Sequence, residues 1–406
     1  MGKHLAPAHA RCHMPAMAET SPTASAAPDP DLWVRWLRVS AFRNYAAAEL
    51  TCDGRPLVLT GPNGTGKTNL LEAVSFLASG RGLRRAKLAE VERSPAAAEP
   101  PRPWAVAAKV VTPAGERLLG TGRDPEGGAR RVVKIDGLPA GGQAALGEIV
   151  AVTWLTPQMD RLFTDTPGAR RRFLDRLVFG LDPAHAGRVT SYEHALRERA
   201  RLLRREAPAD PAWLAALEAR MAEKAVAITA ARRDLIARLT RAGHAAGGAF
   251  PQAALGLSGA LEHWLDAHAA VDVEERLRAA LAEHRESDAE TGGAAVGPHR
   301  SDLVTHHVAK GAPAEQCSTG EQKALLIAIV LAHARLLTAE RGFAPLVLLD
   351  EVAAHLDAER RAALFADLVA LGAQAWLTGT EPRLFADLGS RAQWLTVRGG
   401  EIRPGA

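Results

Sequence analysis

Residues 61 to 68 read Gly61-Pro62-Asn63-Gly64-Thr65-Gly66-Lys67-Thr68, the spacing of a loop that wraps phosphate oxygens in backbone N–H groups. Gly61, Gly64 and Gly66 tolerate the backbone angles and close approach that such a wrap needs, with Pro62, Asn63 and Thr65 filling the turn between them. Lys67 adds a point charge for β and γ phosphates. Thr68 begins a helix and offers its hydroxyl to Mg²⁺, so the expected ligand is ATP with Mg²⁺. Far downstream, an apolar run over residues 346–349 ends in Asp350 and Glu351, which places two carboxylates at the edge of a sheet where ligands of open α/β folds gather. Asp350 is expected to hold the metal through its water shell, and Glu351 to polarise an attacking water. Taken alone, the same run also fits a strand followed by an acid that caps the next helix.

A third group, Ser318-Thr319-Gly320-Glu321-Gln322, opens a helix expected over residues 320–337. A serine hydroxyl and a glycine N–H at a helix start form an anion pocket, although Ser318 with Glu321 is equally an ordinary helix cap. Asp357 has the same double reading, as a functional carboxylate or as an N-cap. Gln158, after Leu155-Thr156-Pro157, sits where two halves of the chain join.

The elements that must position these groups follow from hydrophobic period. Short apolar runs at 34–39, 56–60, 104–111 and 131–135 predict strands, and Leu70, Leu71, Val74 and Leu77 predict a helix directly after the phosphate loop. From residue 169 the chain becomes charged and rich in Ala and Leu. Prolines and glycines divide it into several helices, one of them over 211–241. Heptads are not sustained, so no long coiled-coil arm is expected. Beyond residue 292 a loop-rich stretch leads back to α/β character, with a helix at 358–371 and strands at 346–349 and 375–378. Residues 1–32 carry no hydrophobic period and are expected to be a disordered or upstream extension.

Composition limits the options. The 406 residues suffice for a large core, and 50 basic against 46 acidic side chains give little net field. Residues 160–245 nevertheless hold 17 Lys and Arg against 11 Asp and Glu, so the helical middle carries the positive excess. Cys12, Cys52 and Cys317 lack the spacing of a metal site or a disulfide framework, and no run of 18 apolar residues occurs. A soluble, cytoplasmic protein is expected, with no membrane partner.

The segment at Ser318 resembles the signature of the ABC ATPase superfamily. That resemblance implies that Ser318, Gly320 and Gln322 act in trans on a nucleotide held by a second subunit. It further implies that Asp357 belongs to a loop coupling the two sites and that Gln158 senses the metal and the attacking water. Where the superfamily places a switch histidine this chain has Thr380, which suggests slow hydrolysis.

Within the superfamily, Phe42-Arg43-Asn44-Tyr45, the phosphate loop, Gly80-Arg81-Gly82-Leu83-Arg84, the stretch 168–176 and Gly297-Pro298-His299-Arg300-Ser301-Asp302 together resemble the RecF family of bacterial recombination mediators. The 251 residues between Lys67 and Ser318 exceed a transporter motor's insertion and fall short of an SMC coiled coil. The resemblance implies an α/β fold, an ABC-type P-loop ATPase lobe (33–160 and 296–406) with an inserted, mainly helical second lobe (161–295). It also implies Arg43 and Asn44 near the nucleotide, an ATP-dependent homodimer on duplex or gapped DNA, and partnership with RecR, with RecO and RecA in the same pathway. The competing reading is the motor subunit of an ABC transporter. DNA phosphates would be met by Arg81, Arg84 and Arg85, by Arg170, Arg171 and Arg172, or by the run Arg197, Arg199, Arg201, Arg204 and Arg205. Aromatic residues, at 5%, are too sparse for a base-stacking platform, which favours backbone contact with a duplex.

Overall fold

Strands that are apolar at every position need cover on both faces, and Leu57–Thr60, Val152–Leu155, Leu346–Leu349 and Ala375–Gly379 are buried throughout. In a computed structural model they form the middle of a six-stranded sheet. Its order is Glu401–Pro404, Gln393–Arg398, Leu57–Thr60, Ala375–Gly379, Leu346–Leu349, Val152–Leu155, with all pairs parallel except the first. The structure describes Met1 and residues 30–94, 102–126, 130–204, 210–244 and 248–405. Most of the N-terminal extension, the proline-rich stretch 95–101 and Arg205 lie outside the described residues.

Side chains alternate between the two faces of this sheet. Leu57, Leu59, Leu346, Leu348 and Trp376 enter one core, which also takes Leu70, Leu71 and Val74 of the helix Lys67–Ser75. A second six-stranded sheet closes that core, running Tyr45–Thr51, Trp33–Phe42, Ala105–Thr112, Gly115–Arg123, Arg131–Ile135, Leu138–Pro139, antiparallel at each step. Val58, Val347, Leu349 and Leu377 enter the other core, filled by the helices Pro167–Leu181, Thr319–Arg341 and Ala358–Ala370. Thr319–Arg341 is long and apolar enough to cross a membrane by composition, but it is mostly buried here as the central core helix.

The helical region has its own core, where Tyr192, Met221, Ile228, Leu277 and Leu281 meet from His185–Leu203, Pro211–His244 and Ala270–Glu283. It also buries charge. Arg199, 1% exposed, donates to Glu218 at 3.0 Å, to Asp288 at 2.8 Å and to the Leu281 carbonyl at 2.6 Å. That removes Arg199 from the candidate DNA contacts, because a guanidinium enclosed by two carboxylates and a carbonyl presents nothing to a phosphate. Arg197 and Arg201 pair with Glu193 and Glu198 on their own helix, the ordinary arrangement of a solvated helical face.

The stretch after residue 292, expected to be loop-rich, contains Asp302–His307, which pairs with Ala253–Ser258 on one side and Ala312–Pro313 on the other. Ala253–Ser258 is alanine, leucine and glycine without β-branched residues, so propensity gives no strand signal and the pairing partner decides.

Candidate nucleotide-binding site

The phosphate loop joins the strand Leu57–Thr60 to the helix Lys67–Ser75 at the C-terminal edge of the parallel sheet. Two glycines are irreplaceable on geometric grounds. Gly61 has φ 147° and a Cβ there would lie 2.2 Å from the Val397 carbonyl oxygen, while Gly66 has φ 114° and its Cβ would meet the Tyr45 hydroxyl at 2.5 Å. Lys67, 4% exposed, folds its Nζ onto the carbonyls of Gly61 at 2.8 Å and Pro62 at 3.0 Å, and pairs with Glu351 at 3.5 Å.

The carboxylates both follow Leu346–Leu349, one strand removed from Leu57–Thr60, with Ala375–Gly379 between them. Thr68 Oγ1 donates to Asp350 Oδ1 at 2.8 Å, across 282 residues of sequence, and Thr378 Oγ1 donates to the same oxygen at 2.7 Å while accepting from the Glu351 N–H at 2.9 Å. Glu351 has φ 52°. A left-handed conformation at a residue other than glycine stores strain, and such residues gather at functional sites. The sheet brings together a hydroxyl and a carboxylate of the hard-oxygen type that suits Mg²⁺, a lysine, and a loop whose backbone at Gly61 and Gly66 admits no side chain. These residues fit a magnesium nucleotide.

Other expected residues lie elsewhere. Arg43 does not enter the cradle: its Nε and Nη2 grip Glu72 at 2.8 and 2.7 Å and its Nη1 donates to the Glu90 carbonyl at 2.7 Å. Asn44 braces the loop from outside, donating to the Thr65 carbonyl at 3.1 Å and accepting from Asn69 at 2.7 Å. Gln322 is 6% exposed and its amide is turned inward, donating to the Cys317 carbonyl at 2.9 Å. Ser318 and Gly320 are exposed. Ser318 caps the helix reciprocally with Glu321, whose carboxyl is held down at about 2 by Lys310 and by the N–H and hydroxyl of Ser318. Among the described residues no hydrogen bond or ion pair links Ser318 or Gly320 to the phosphate loop, Asp350 or Glu351. Asp357 is the N-cap of Ala358–Ala370, accepting from the Arg360 N–H at 2.8 Å. Gln158 is exposed in the turn after Val152–Leu155. Thr380 is exposed as well, and Thr378, two residues earlier, is the threonine that meets the carboxylates.

Sequence reasoning missed Glu72. It is 0% exposed and holds both Arg43 and Arg84, tying the phosphate-loop helix to the segments on either side. The sequence carries no signal for this burial, since Thr68, Asn69 and Ser75 share the helical face of Glu72 at i−4, i−3 and i+3.

Arginines proposed for DNA divide sharply. Arg84 is held by Asn69 and Glu72, Arg170 by Asp302 in a two-pronged contact at 2.7 Å each, and Arg171 by the Ser301 carbonyl at 2.6 Å. Arg81, Arg85 and Arg172 are exposed and carry no ion pair among the described residues.

The model of the RecF/RecN/SMC N-terminal domain matches residues 33–388. The DNA replication and repair protein RecF of Rhizobium rhizogenes is 48% identical over 374 residues, covering 91% of this chain and 98% of that protein. The chain belongs to the RecF family. The RecF of Mesorhizobium japonicum is likewise 48% identical, over 91% of this chain and 97% of its own length. Among solved structures, the recombination mediator protein RecF-ATPrS in the RecFOR pathway superposes with a TM-score of 0.78 at 21% identity, covering 94% of this chain and 100% of that one. The architecture is thus that of a RecF-type ATPase head. The transporter-motor reading is set aside by this membership.

Proposed function

We propose that this chain is an ATP-gated, DNA-binding member of the recombinational repair and replication machinery that closes as a dimer on duplex or gapped DNA. Residues 33–160 and 296–406 act in this reading as one ATPase lobe, and 161–295 as an inserted helical lobe. RecR, RecO and RecA are the expected partners in the cytoplasm. Support comes from the curated RecF relatives and from the loop geometry.

ATP and Mg²⁺, when bound, supply the transferable phosphoryl group and the charge that offsets it. The chain's part is positional. The N–H groups of Gly61 to Lys67 bind phosphate oxygens, and Lys67 exchanges the carbonyls of Gly61 and Pro62 for a better anion. Thr68 and Asp350, already oriented by Thr378, hold the metal's ligand sphere. Glu351 takes the proton of the attacking water, with Gln158 at the same sheet edge to orient it. Hydrolysis is expected to be slow, since no histidine follows Ala375–Gly379.

One observation carries the dimer: Ser318 and Gly320 stand exposed at the N-terminus of a 23-residue helix, without a link to the phosphate loop of their own chain. This anion grip holds the chain's own Glu321 carboxylate, an anion that the phosphate of a second copy's nucleotide would replace, and Asp357 would lie at the same junction. Sizing the protein by light scattering with ATP, ADP or no nucleotide, each with and without duplex DNA, tests it. A dimer with ATP alone, lost in Lys67→Met, is expected. A monomer under every condition overturns the reading.

A further inference from the structure

Arg81, Arg85 and Arg172 come from segments almost ninety residues apart, yet they line one cavity of about 430 Å³ together with Arg84 and Arg176. It lies between the turn that follows the phosphate-loop helix and the helices Pro167–Leu181 and His185–Leu203. None of Gly61 to Thr68, Asp350 or Glu351 lines it.

Arg176 is the unusual group. Its Nε and Nη2 are shielded from solvent and have no hydrogen-bond partner, and Nη1 finds only the Met159 sulfur at 3.3 Å. Trp154 and Phe173 flank the guanidinium at 4.6 and 5.0 Å. Burial, with the charge of Arg85, pulls its pKa down to about 9, so it is still a cation at neutral pH. Arg85 is also lowered, by burial and then by Arg172 and Arg81. The acids at hand do not neutralise this group. Asp175 is already engaged by Arg232 and His185, Asp165 accepts from the backbone of Thr166, and Glu193 faces Arg197 as well as Arg85. An unpaired buried cation is among the costliest features a fold can retain.

We propose that this cavity binds a small phosphate-bearing ligand of mononucleotide size, with Arg85 and Arg172 taking phosphate oxygens and Arg176 supplying the field behind them. The volume is that of a small-molecule site, and the remaining wall includes Leu162, Phe179 and Val189. A duplex presents its phosphates on a convex ridge, which suits an open basic face better than a recessed cavity. Gln158 shares the lining.

The site is independent of the nucleotide reading above, and the test keeps them apart. Pyrophosphate and AMP are titrated calorimetrically into the Lys67→Met protein, whose phosphate loop is disabled. One site per chain is expected. Adding Arg172→Glu should weaken it at least about tenfold, the worth of one charged hydrogen bond. Arg176→Met should weaken it similarly without lowering the denaturation midpoint, whereas a purely structural Arg176 would lower the midpoint and leave affinity alone. Failure of both probes to bind, binding that survives both substitutions, or displacement by duplex DNA would each overturn the proposal.

Discussion

The molecule holds two ionic clusters of opposite character. In the helical region, Arg199, Glu218, Asp288 and Arg285 close on one another, as do Asp175, Arg232 and His185. Each charge in these two groups has its counter-charge within the group. At the phosphate loop, Lys67 rests on two carbonyls and reaches Glu351 only at 3.5 Å, while a single oxygen of Asp350 takes both threonine hydroxyls. The first cluster is complete and structural. The second is a set of groups held apart from better partners, and the difference separates charges that build a fold from charges that wait for a ligand.

Lys67→Met should break the comparison most visibly. Two charged hydrogen bonds to phosphate are lost, so ATP affinity should fall about a thousandfold, read by equilibrium binding, with little change in melting temperature. A large fall in stability instead would place the Lys67–Glu351 pair with the structural lattice. Arg199→Leu should do the reverse, leaving Glu218 and Asp288 buried with one cation fewer. Removing one member of such a lattice costs about 3–5 kcal/mol, measured by denaturant titration, while ATP binding per folded molecule stays unchanged. Glu351→Gln keeps the shape of the site and removes its base. Single-turnover hydrolysis should slow at least about a hundredfold with binding retained and the ATP dimer prolonged; unaltered turnover would take the base role from Glu351.

Much of the phosphate-loop region was legible in sequence because its chemistry is local. The loop, the apolar strand before Asp350 and the helix after Ser318 each declare themselves within ten residues, and a parallel sheet has one edge at which to assemble them. The lattice was not legible, since its pairings are set by helix packing. Arg199 stands in a run of arginines that the sequence offers as DNA contacts, and only the meeting of His185–Leu203 with Pro211–His244 and Arg285–Thr291 buries it. The stretches 168–176 and 297–302 carry the family resemblance, and nothing in the sequence says that they touch. The structure shows that they are partners, through Arg170 with Asp302, Arg171 with the Ser301 carbonyl, and Asp175 with Arg232, which in turn donates to the Pro298 carbonyl. Arg43 and Asn44 stand beside the loop for a related reason: Arg43 is held by the buried Glu72, and Asn44 spans from Asn69 to the Thr65 carbonyl.

The smallest effect concerns the seam between those partners. His299 accepts the Tyr192 hydroxyl at Nδ1, at 2.7 Å, and donates from Nε2 to the Ala294 carbonyl at 2.9 Å, which requires a neutral ring. Burial, aided by Arg300 and Arg171 and opposed by the Ala294 hydrogen bond, lowers its pKa to about 4. The unfolded chain takes up this proton near pH 6.5 and the folded chain only near 4, so its share of stability is whole above about 6.5 and lost as pH falls towards 4. With its partial exposure discounted, that share is about 2 kcal/mol. His299→Gln should therefore flatten the stability profile over that window, measured by denaturant titration at stepped pH, whereas Lys67→Met should leave the profile's shape as it is. The phosphate-loop cluster of Lys67, Thr68, Asp350, Glu351 and Thr378 contains no histidine. An equal flattening by both substitutions would mean that the two regions unfold as one electrostatic unit, and the distinction between a closed lattice and an open site would fail.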